Sequence, residues 1–300
     1  MILCCGESLI DMLPRESAAG EPAFAPYAGG AVFNTAIALG RLGAPAGFFG
    51  GLSTDLFGEQ LAGVLAQSQV DAGFSARSDR PTTLAFVTLT DGQARYAFYD
   101  ENTAGRMLTE ADLPELDDTV AALFFGGISL VSEPAADTYA ALAAREAGRR
   151  VIMVDPNIRP GFVRDAARYR SRLDALLGIA DVVKLSDEDM EWLGVAPETL
   201  LARGTSLVCV TRGAEGVDAI TAAGTTRVPA RPAMVIDTVG AGDTFNAGLL
   251  AGLWEAGLLQ REALAAAPLD ALVPAVALGT QAAAVTVARA GANPPWRTEL

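Results

Sequence analysis

The chain of 300 residues contains no histidine. This removes the Ser-His and Cys-His nucleophile pairs and any histidine-ligated zinc, and it leaves general-base work to carboxylates. The three cysteines, Cys4, Cys5 and Cys209, lie in apolar strand-like runs without Cys-x-x-Cys spacing. They read as reduced core residues of a cytoplasmic protein, with no redox role. Positive charge is scarce as well. Lys184 is the single lysine, and a net charge of −14 argues against nucleic acid as a partner, because backbone recognition needs a basic surface. Any anionic substrate must therefore be held by local cations, backbone amides or a metal. The apolar stretches are interrupted by Pro, Gly or charge, so no membrane span is expected, and the opening Met-Ile-Leu-Cys-Cys-Gly-Glu reads as a first strand, not a signal peptide.

What is present is apolar material for a sizeable core, 51% of the residues, and one stretch of unusual composition, Ile236 to Leu250. There the β-branched run Val235-Ile236-Asp237-Thr238-Val239 meets a Gly240-Ala241-Gly242 turn, and Phe245, Ala247, Leu249, Leu250, Leu253 and Trp254 continue at helical spacing. Glycines at such a junction let backbone approach a ligand, and the free N–H groups of a helix start suit a phosphate. Asp243 stands at that start. A carboxylate beside a phosphate site is unfavourable unless it has a task, such as taking a proton from an attacking hydroxyl. The competing reading is that Asp243 and Thr244 only cap the helix. Two better-known phosphate loops fail on spacing, since Asp243 stands where a Walker-type loop needs Lys and Phe245 where the dinucleotide fingerprint needs a third glycine.

The run Asp237-Thr238-x-Gly240-Ala241-Gly242-Asp243 resembles the C-terminal signature of the PfkB family of sugar kinases, the ribokinase-like fold. The resemblance implies Asp243 as catalytic base and the Gly240, Ala241 and Gly242 amides as an anion hole. It extends over nearly the whole chain. Asp11, which could otherwise be a surface turn residue, occupies the place of the acidic residue that binds sugar hydroxyls after the first strand. Gly29-Gly30-x-x-x-Asn34 resembles the sugar-binding Gly-Gly motif, and Asn34 offers a donor and an acceptor. Asp155-Pro156-Asn157-Ile158-Arg159 matches a segment near substrate and phosphates, with Arg159 implied on the substrate; a plain proline turn is the alternative. Thr211-Arg212-Gly213-x-x-Gly216 matches a nucleotide-phosphate turn, the alternative being an ordinary hairpin turn. Lys184 and Gln281 complete the implied nucleotide set. Many relatives place Asn-x-x-Glu on the magnesium ion's water shell; this chain has Ser186 and Asp189, so Asp189 is the expected residue there, acting through water, and Asp237 is expected at a monovalent-cation site such as one for K⁺.

Strands expected at 2–6, 122–125, 151–154, 182–185 and 207–211 alternate with helices, which implies a doubly wound, mostly parallel α/β sheet in one domain of residues 1–300, with ligands beyond the carboxyl ends of the strands. Residues 82–90 and 93–100, joined by Asp91-Gly92, read as a hairpin. With residues near 11–27 it would form a small lid spanning 82–104, in which Tyr96, Phe98 and Tyr99 face the sugar or a partner subunit of a homodimer, or simply pack within the hairpin. Gly-Glu-x-x-x-Asp, Gly-Gly-Ala-x-x-Asn-Thr-Ala, Tyr-Ala-Phe-Tyr and Lys-x-Ser-Asp-Glu are most similar to bacterial fructokinases. The expectation is an ATP- and Mg²⁺-dependent kinase taking D-fructose to fructose 6-phosphate. The alternatives are a 2-keto-3-deoxygluconate kinase or ribokinase, and, from another class, a non-catalytic sugar-binding regulatory protein. A nicotinamide-dependent dehydrogenase would need the missing glycine.

Overall fold

A computed structural model describes residues 1–90 and 93–300, and of 88–90 and 93–96 the backbone alone. The Asp91-Gly92 turn and the side chain of Tyr96 therefore lie outside the described residues. In chain order the elements are β1 (Ile2–Cys5), β2 (Leu9–Glu16), β3 (Pro22–Gly29), α1 (Ala31–Arg41), β4 (Ala46–Phe49), β5 (Gly51–Ser53), α2 (Leu56–Gln67), β6 (Val70–Asp71), β7 (Ala76–Ser78), β8 (Leu84–Thr90) and β9 (Gln93–Tyr99). They continue with β10 (Ala122–Gly126), α3 (Ala135–Glu146), β11 (Val151–Asp155), α4 (Ala166–Leu177), β12 (Val182–Ser186), α5 (Asp187–Leu193), α6 (Pro197–Ala202), β13 (Leu207–Thr211), β14 (Val217–Thr221), β15 (Gly224–Val228), α7 (Ala241–Glu255), α8 (Arg261–Ala266) and α9 (Leu269–Val287).

Nine strands form the main sheet in the order β15-β14-β13-β12-β11-β10-β1-β4-β6. It is parallel from β6 to β13 and turns antiparallel at β14 and β15. The central strands are buried along their whole length, as a sheet covered on both faces requires. Successive side chains of β1 divide between the two faces: Ile2 and Cys4 join the core beneath α1, α7 and α9, whereas Leu3 and Cys5 join the core beneath α3 and α4. All three cysteines are buried and unpaired. Among the described residues one helix, α9, is long and apolar enough by length and composition to cross a membrane, although Asp270, Pro274 and Gly279 interrupt it as expected of the apolar stretches. In this fold it packs along α7 and against β14 and β15.

A second sheet, in the order β3-β2-β8-β9, stands apart from the first. Asp11 is paired with Tyr27 and Ala85, and Ala85 with Phe98, so these four share one face; Met12, Pro26, Phe86 and Ala97 share the other. Phe98 meets Phe162, in the loop after β11, edge to face with ring centroids 4.5 Å apart. On the opposite face Phe86 makes edge-to-face contacts with Phe24 at 5.0 Å and Tyr99 at 5.5 Å. Phe24 and Tyr99 remain exposed. The period of two thus splits the aromatic residues of the hairpin: Phe98 turns to the body and Tyr99 away from it.

Candidate active site

Helix α7 starts at Gly240, whose φ of 76° is left-handed and whose Cα lies so near Ala292 that an added Cβ would come within 2.7 Å of that residue's Cβ. No side chain caps the helix. Its first turn, Ala241 to Asp243, therefore presents backbone N–H groups at the positive end of the dipole. Asp243 sits inside this turn and does not act as the cap. Its Oδ2 accepts a hydrogen bond from Asn34 Nδ2 at 2.9 Å, and its backbone carbonyl accepts one from Thr35 Oγ1 at 3.3 Å. Both partners come from α1. Burial pushes the Asp243 carboxyl up to about 7; Asn34 opposes the shift, Asp155 and Glu7 add to it, and Lys184 opposes it. A carboxylate poised near neutrality suits proton abstraction.

Beneath the loop lies a buried ion pair. Lys184 Nζ stands 3.2 Å from Asp155 Oδ2, and both side chains are almost wholly inaccessible. Asp155 ends β11, so its carboxylate emerges at the carboxyl edge of the sheet, and Asn246 Nδ2 donates to it at 2.7 Å. Asn246 follows Asp243 by three residues and so shares its face of α7. An added Cβ at Gly242 would lie 3.5 Å from Lys184 Nζ, which places the only lysine under the glycine turn. Burial lowers the affinity of Lys184 for its proton, but Asp155 and Asp189 outweigh this, and the ammonium is held charged.

Across the site, the carboxylate of Asp11 leaves no room for a side chain at Gly29, where a Cβ would fall 2.2 Å from Oδ2. Burial raises the Asp11 carboxyl to about 6. Glu7, just past β1, is buried against the start of α1: Oε1 accepts from Ala31 N at 2.8 Å and Val32 N at 3.4 Å, and Oε2 from Ser129 N at 3.2 Å. It fixes the helix that carries Asn34.

Beside the first turn of α7 runs a groove of about 540 Å³ lined by Thr211, Gly213, Gly216, Gly242, Phe245 and Val287, among others. Thr211, Gly213, Gly216 and Gly242 are thus brought together as the sequence implies. The β13–β14 connection is also a true hairpin turn, with Arg212 N donating to Gly216 O at 2.8 Å. The groove is lined from α9 by Thr280, Ala283, Ala284 and Val287, at helical spacing; Gln281 lines two neighbouring clefts, one with Pro274 and Leu278 and one with Arg231, Pro232, Ala233 and Ala284, which line the groove as well.

Asp189 is buried; Oδ1 accepts from Ile158 N at 2.7 Å, and Oδ2 from Ser186 N at 2.9 Å and Ser186 Oγ at 2.8 Å. The carboxylate closes a capping box at α5 and ties down the loop after β11. Arg159 is exposed, and its Nη1 donates to Ile158 O at 3.1 Å. Asp237 bridges two loops, accepting from Val239 N at 3.0 Å and Gly291 N at 2.9 Å.

With this geometry in place, the comparisons decide the family. The description "pfkB family carbohydrate kinase" matches residues 1–299. The chain belongs to this family. It is 52% identical over 278 residues to a fructokinase of Rhizobium leguminosarum bv. trifolii, covering 91% of this chain and 85% of that one. Among solved structures, the fructokinase of Xylella fastidiosa with bound ATP superposes with a TM-score of 0.87 at 29% identity, over 97% of this chain and 93% of that one. The fructokinase of Vibrio cholerae O395 with fructose, ADP and calcium bound superposes with a TM-score of 0.81 at 26% identity, over 97% and 94% of the two chains. As a pfkB carbohydrate kinase, the chain is a phosphotransferase acting on a sugar hydroxyl.

Sequence reading passed over Glu7, the pairing of Asp155 and the role of Asn246. Signals existed for two of them. Asn246 lies one turn beyond Asp243, and Asp155 is the last residue of an apolar strand, where this fold class places its ligands.

Proposed function

We propose that this chain is an ATP-dependent fructokinase, transferring the γ-phosphoryl group of ATP to O6 of D-fructose. The observation that carries the reading is the placement of Asp243: buried, near neutrality in its titration, and within the first turn of a helix whose N–H groups face the same point. Fructose lies between Asp11, the Gly29-Gly30 turn and Asn34, with its hydroxyl at Asp243. Asp243 takes the hydroxyl proton as the oxygen attacks the γ-phosphorus, the bond to the β-phosphate oxygen breaks, and ADP leaves. The Gly242 and Asp243 amides and the Lys184 ammonium stabilise charge on the transferred group. Arg159, exposed beyond β11, reaches the sugar or the phosphates from solvent. The apolar groove beside Phe245 takes the adenosine, with Gly213 and Gly216 allowing close approach to its phosphates.

Magnesium bound with ATP would neutralise the β- and γ-phosphate oxygens. Among the described residues no group of three acidic or other ligating side chains could cage a metal ion, which fits an ion held chiefly by phosphates and water. A monovalent cation is assigned to Asp237, which joins the loops of Val239 and Gly291. Of the cations lining the cleft that flanks the lid, Arg106 pairs with Asp100 and Arg172 with Glu133 and Asp137, whereas Arg164 has no ion-pair partner among the described residues. Residues 1–300 act as one domain, the second sheet as the lid, and its exposed Phe24–Phe86–Tyr99 face as the contact of a homodimer. The test is ATP consumption across fructose, 2-keto-3-deoxygluconate, ribose, adenosine and glucose. Fructose should give the highest kcat/KM. A higher value for 2-keto-3-deoxygluconate or ribose overturns the sugar assignment, and no turnover on any of them favours a sugar-binding protein.

A further inference from the structure

We propose that Asp155 is a positioning residue for phosphoryl transfer, acting on Asp243 and the glycine turn through Asn246 and Lys184. The inference rests on Asp243 being the base. Three observations carry it. Asp155 accepts from Asn246 Nδ2 at 2.7 Å, and Asn246 lies on the Asp243 face of α7. It is the only carboxylate within ion-pair distance of Lys184 Nζ, at 3.2 Å among the described residues, and that nitrogen lies beneath Gly242. All of these side chains are buried, so no solvent can replace a lost partner. Among the described residues Asn246 Oδ1 has no hydrogen-bond partner, so the bond that orients the amide is the one to Asp155. One carboxylate thus orients both the helix that bears the base and the cation under the anion hole.

The charged and polar groups facing Asp243 are Asn34 from α1, Glu7 from the segment after β1, Asp155 from β11 and Lys184 from β12, with Asp189 behind the ion pair. Two of them predict opposite effects. Asp155→Asn removes a negative neighbour and frees Lys184 to act on Asp243, which lowers the pH at which the base ionises. Lys184→Met removes the opposing cation and leaves Asp155 uncompensated, which raises it.

The experiment is the pH profile of kcat/KM for fructose with saturating Mg-ATP, in the wild type, Asp155→Asn and Lys184→Met, each checked for folding by a melt. The expected result is an acid limb that moves down in Asp155→Asn and up in Lys184→Met, with kcat reduced about 10- to 100-fold in Asp155→Asn, the usual loss on removing an orienting partner. Limbs that stay put, or that move in the same direction, overturn the proposal while leaving the base assignment intact. That assignment fails separately if Asp243→Asn keeps its turnover. If either charge variant does not fold, Asn246→Ala carries the test, since it leaves the ion pair whole: an approximately tenfold fall in kcat at unchanged fructose KM supports the positioning role, and unchanged kcat overturns it.

Discussion

The floor of the site and the lid are built on opposite principles. The floor places Asp155, Lys184 and Asn246 in contact and Asp243 on Asn34, all of them buried from water, so each depends on a named partner and a small loss is magnified by the low dielectric. The second sheet, the proposed lid, has one face that carries Asp11 and meets Phe162 through Phe98, and another that exposes Phe24 and Tyr99. It relies on apolar contacts that are individually weak and that rearrange without stranding a charge. The chemistry proposed here is thus built on the parallel sheet, while closure is the role proposed for the appended one. The lesson is that substitutions in the floor should act on kcat and on pH dependence, and those in the lid on KM and association.

The largest effect expected from this contrast is that of Asp243→Asn. Removing the base should lower kcat by about 10²–10⁴-fold. Stability should move the other way. The carboxyl ionises near 7 in the fold and near 3.8 when unfolded, so between those values the native state holds more protons and stability falls as pH rises. Asparagine lacks that loss. At pH 8 the variant should melt at or above the wild type, and a lower melt with wild-type kcat would reduce Asp243 to a structural residue.

Next comes Phe98→Ala, which removes the ring meeting Phe162. Losing an edge-to-face aromatic contact worth about 1 kcal/mol should favour the open lid and raise the fructose KM roughly fivefold to tenfold with kcat changed much less. Steady-state kinetics decide this; a fall in kcat at constant KM would place Phe98 with the floor. The smallest effect on turnover is expected from the pair Phe24→Lys and Tyr99→Lys, since both side chains are exposed on the face away from Asp11. Sedimentation should show a dimer shifted to monomer while monomer stability stays within about 0.5 kcal/mol. A chain that is monomeric from the start removes the lid from the candidate interfaces.

Much of this molecule is legible in its amino-acid order. Runs that are apolar apart from Lys184 and the polar last residues Asp155, Ser186 and Thr211 mark β1, β10, β11, β12 and β13 within a residue or two, because a parallel strand covered on both faces is apolar except where a buried partner or the site takes a polar side chain. The short strands β5 and β7 and the helices α6 and α8 carry too few residues for a period to declare itself. Gln281 shows how finely helical phase decides a lining, since Thr280 beside it lines the groove while Gln281 lines the clefts that adjoin it. Asp189 reads as a ligand because an acidic residue after a strand suggests a site, and its three bonds to Ile158 and Ser186 were not legible in the sequence.

By itself the sequence determined the family, the sheet, the glycine turn and Asp243, because these are encoded in local runs whose spacing has one good physical solution. Only the tertiary structure decided that Lys184 is a buried ion-pair partner beneath Gly242, that Glu7 anchors α1, and that Asp155 joins β11 to α7 through Asn246. Those pairings cross 29, 24 and 91 positions of sequence, and no local period reports which distant strand end a helix start will face. Burial makes them consequential, since a charge removed from water takes its properties from whatever the fold places beside it.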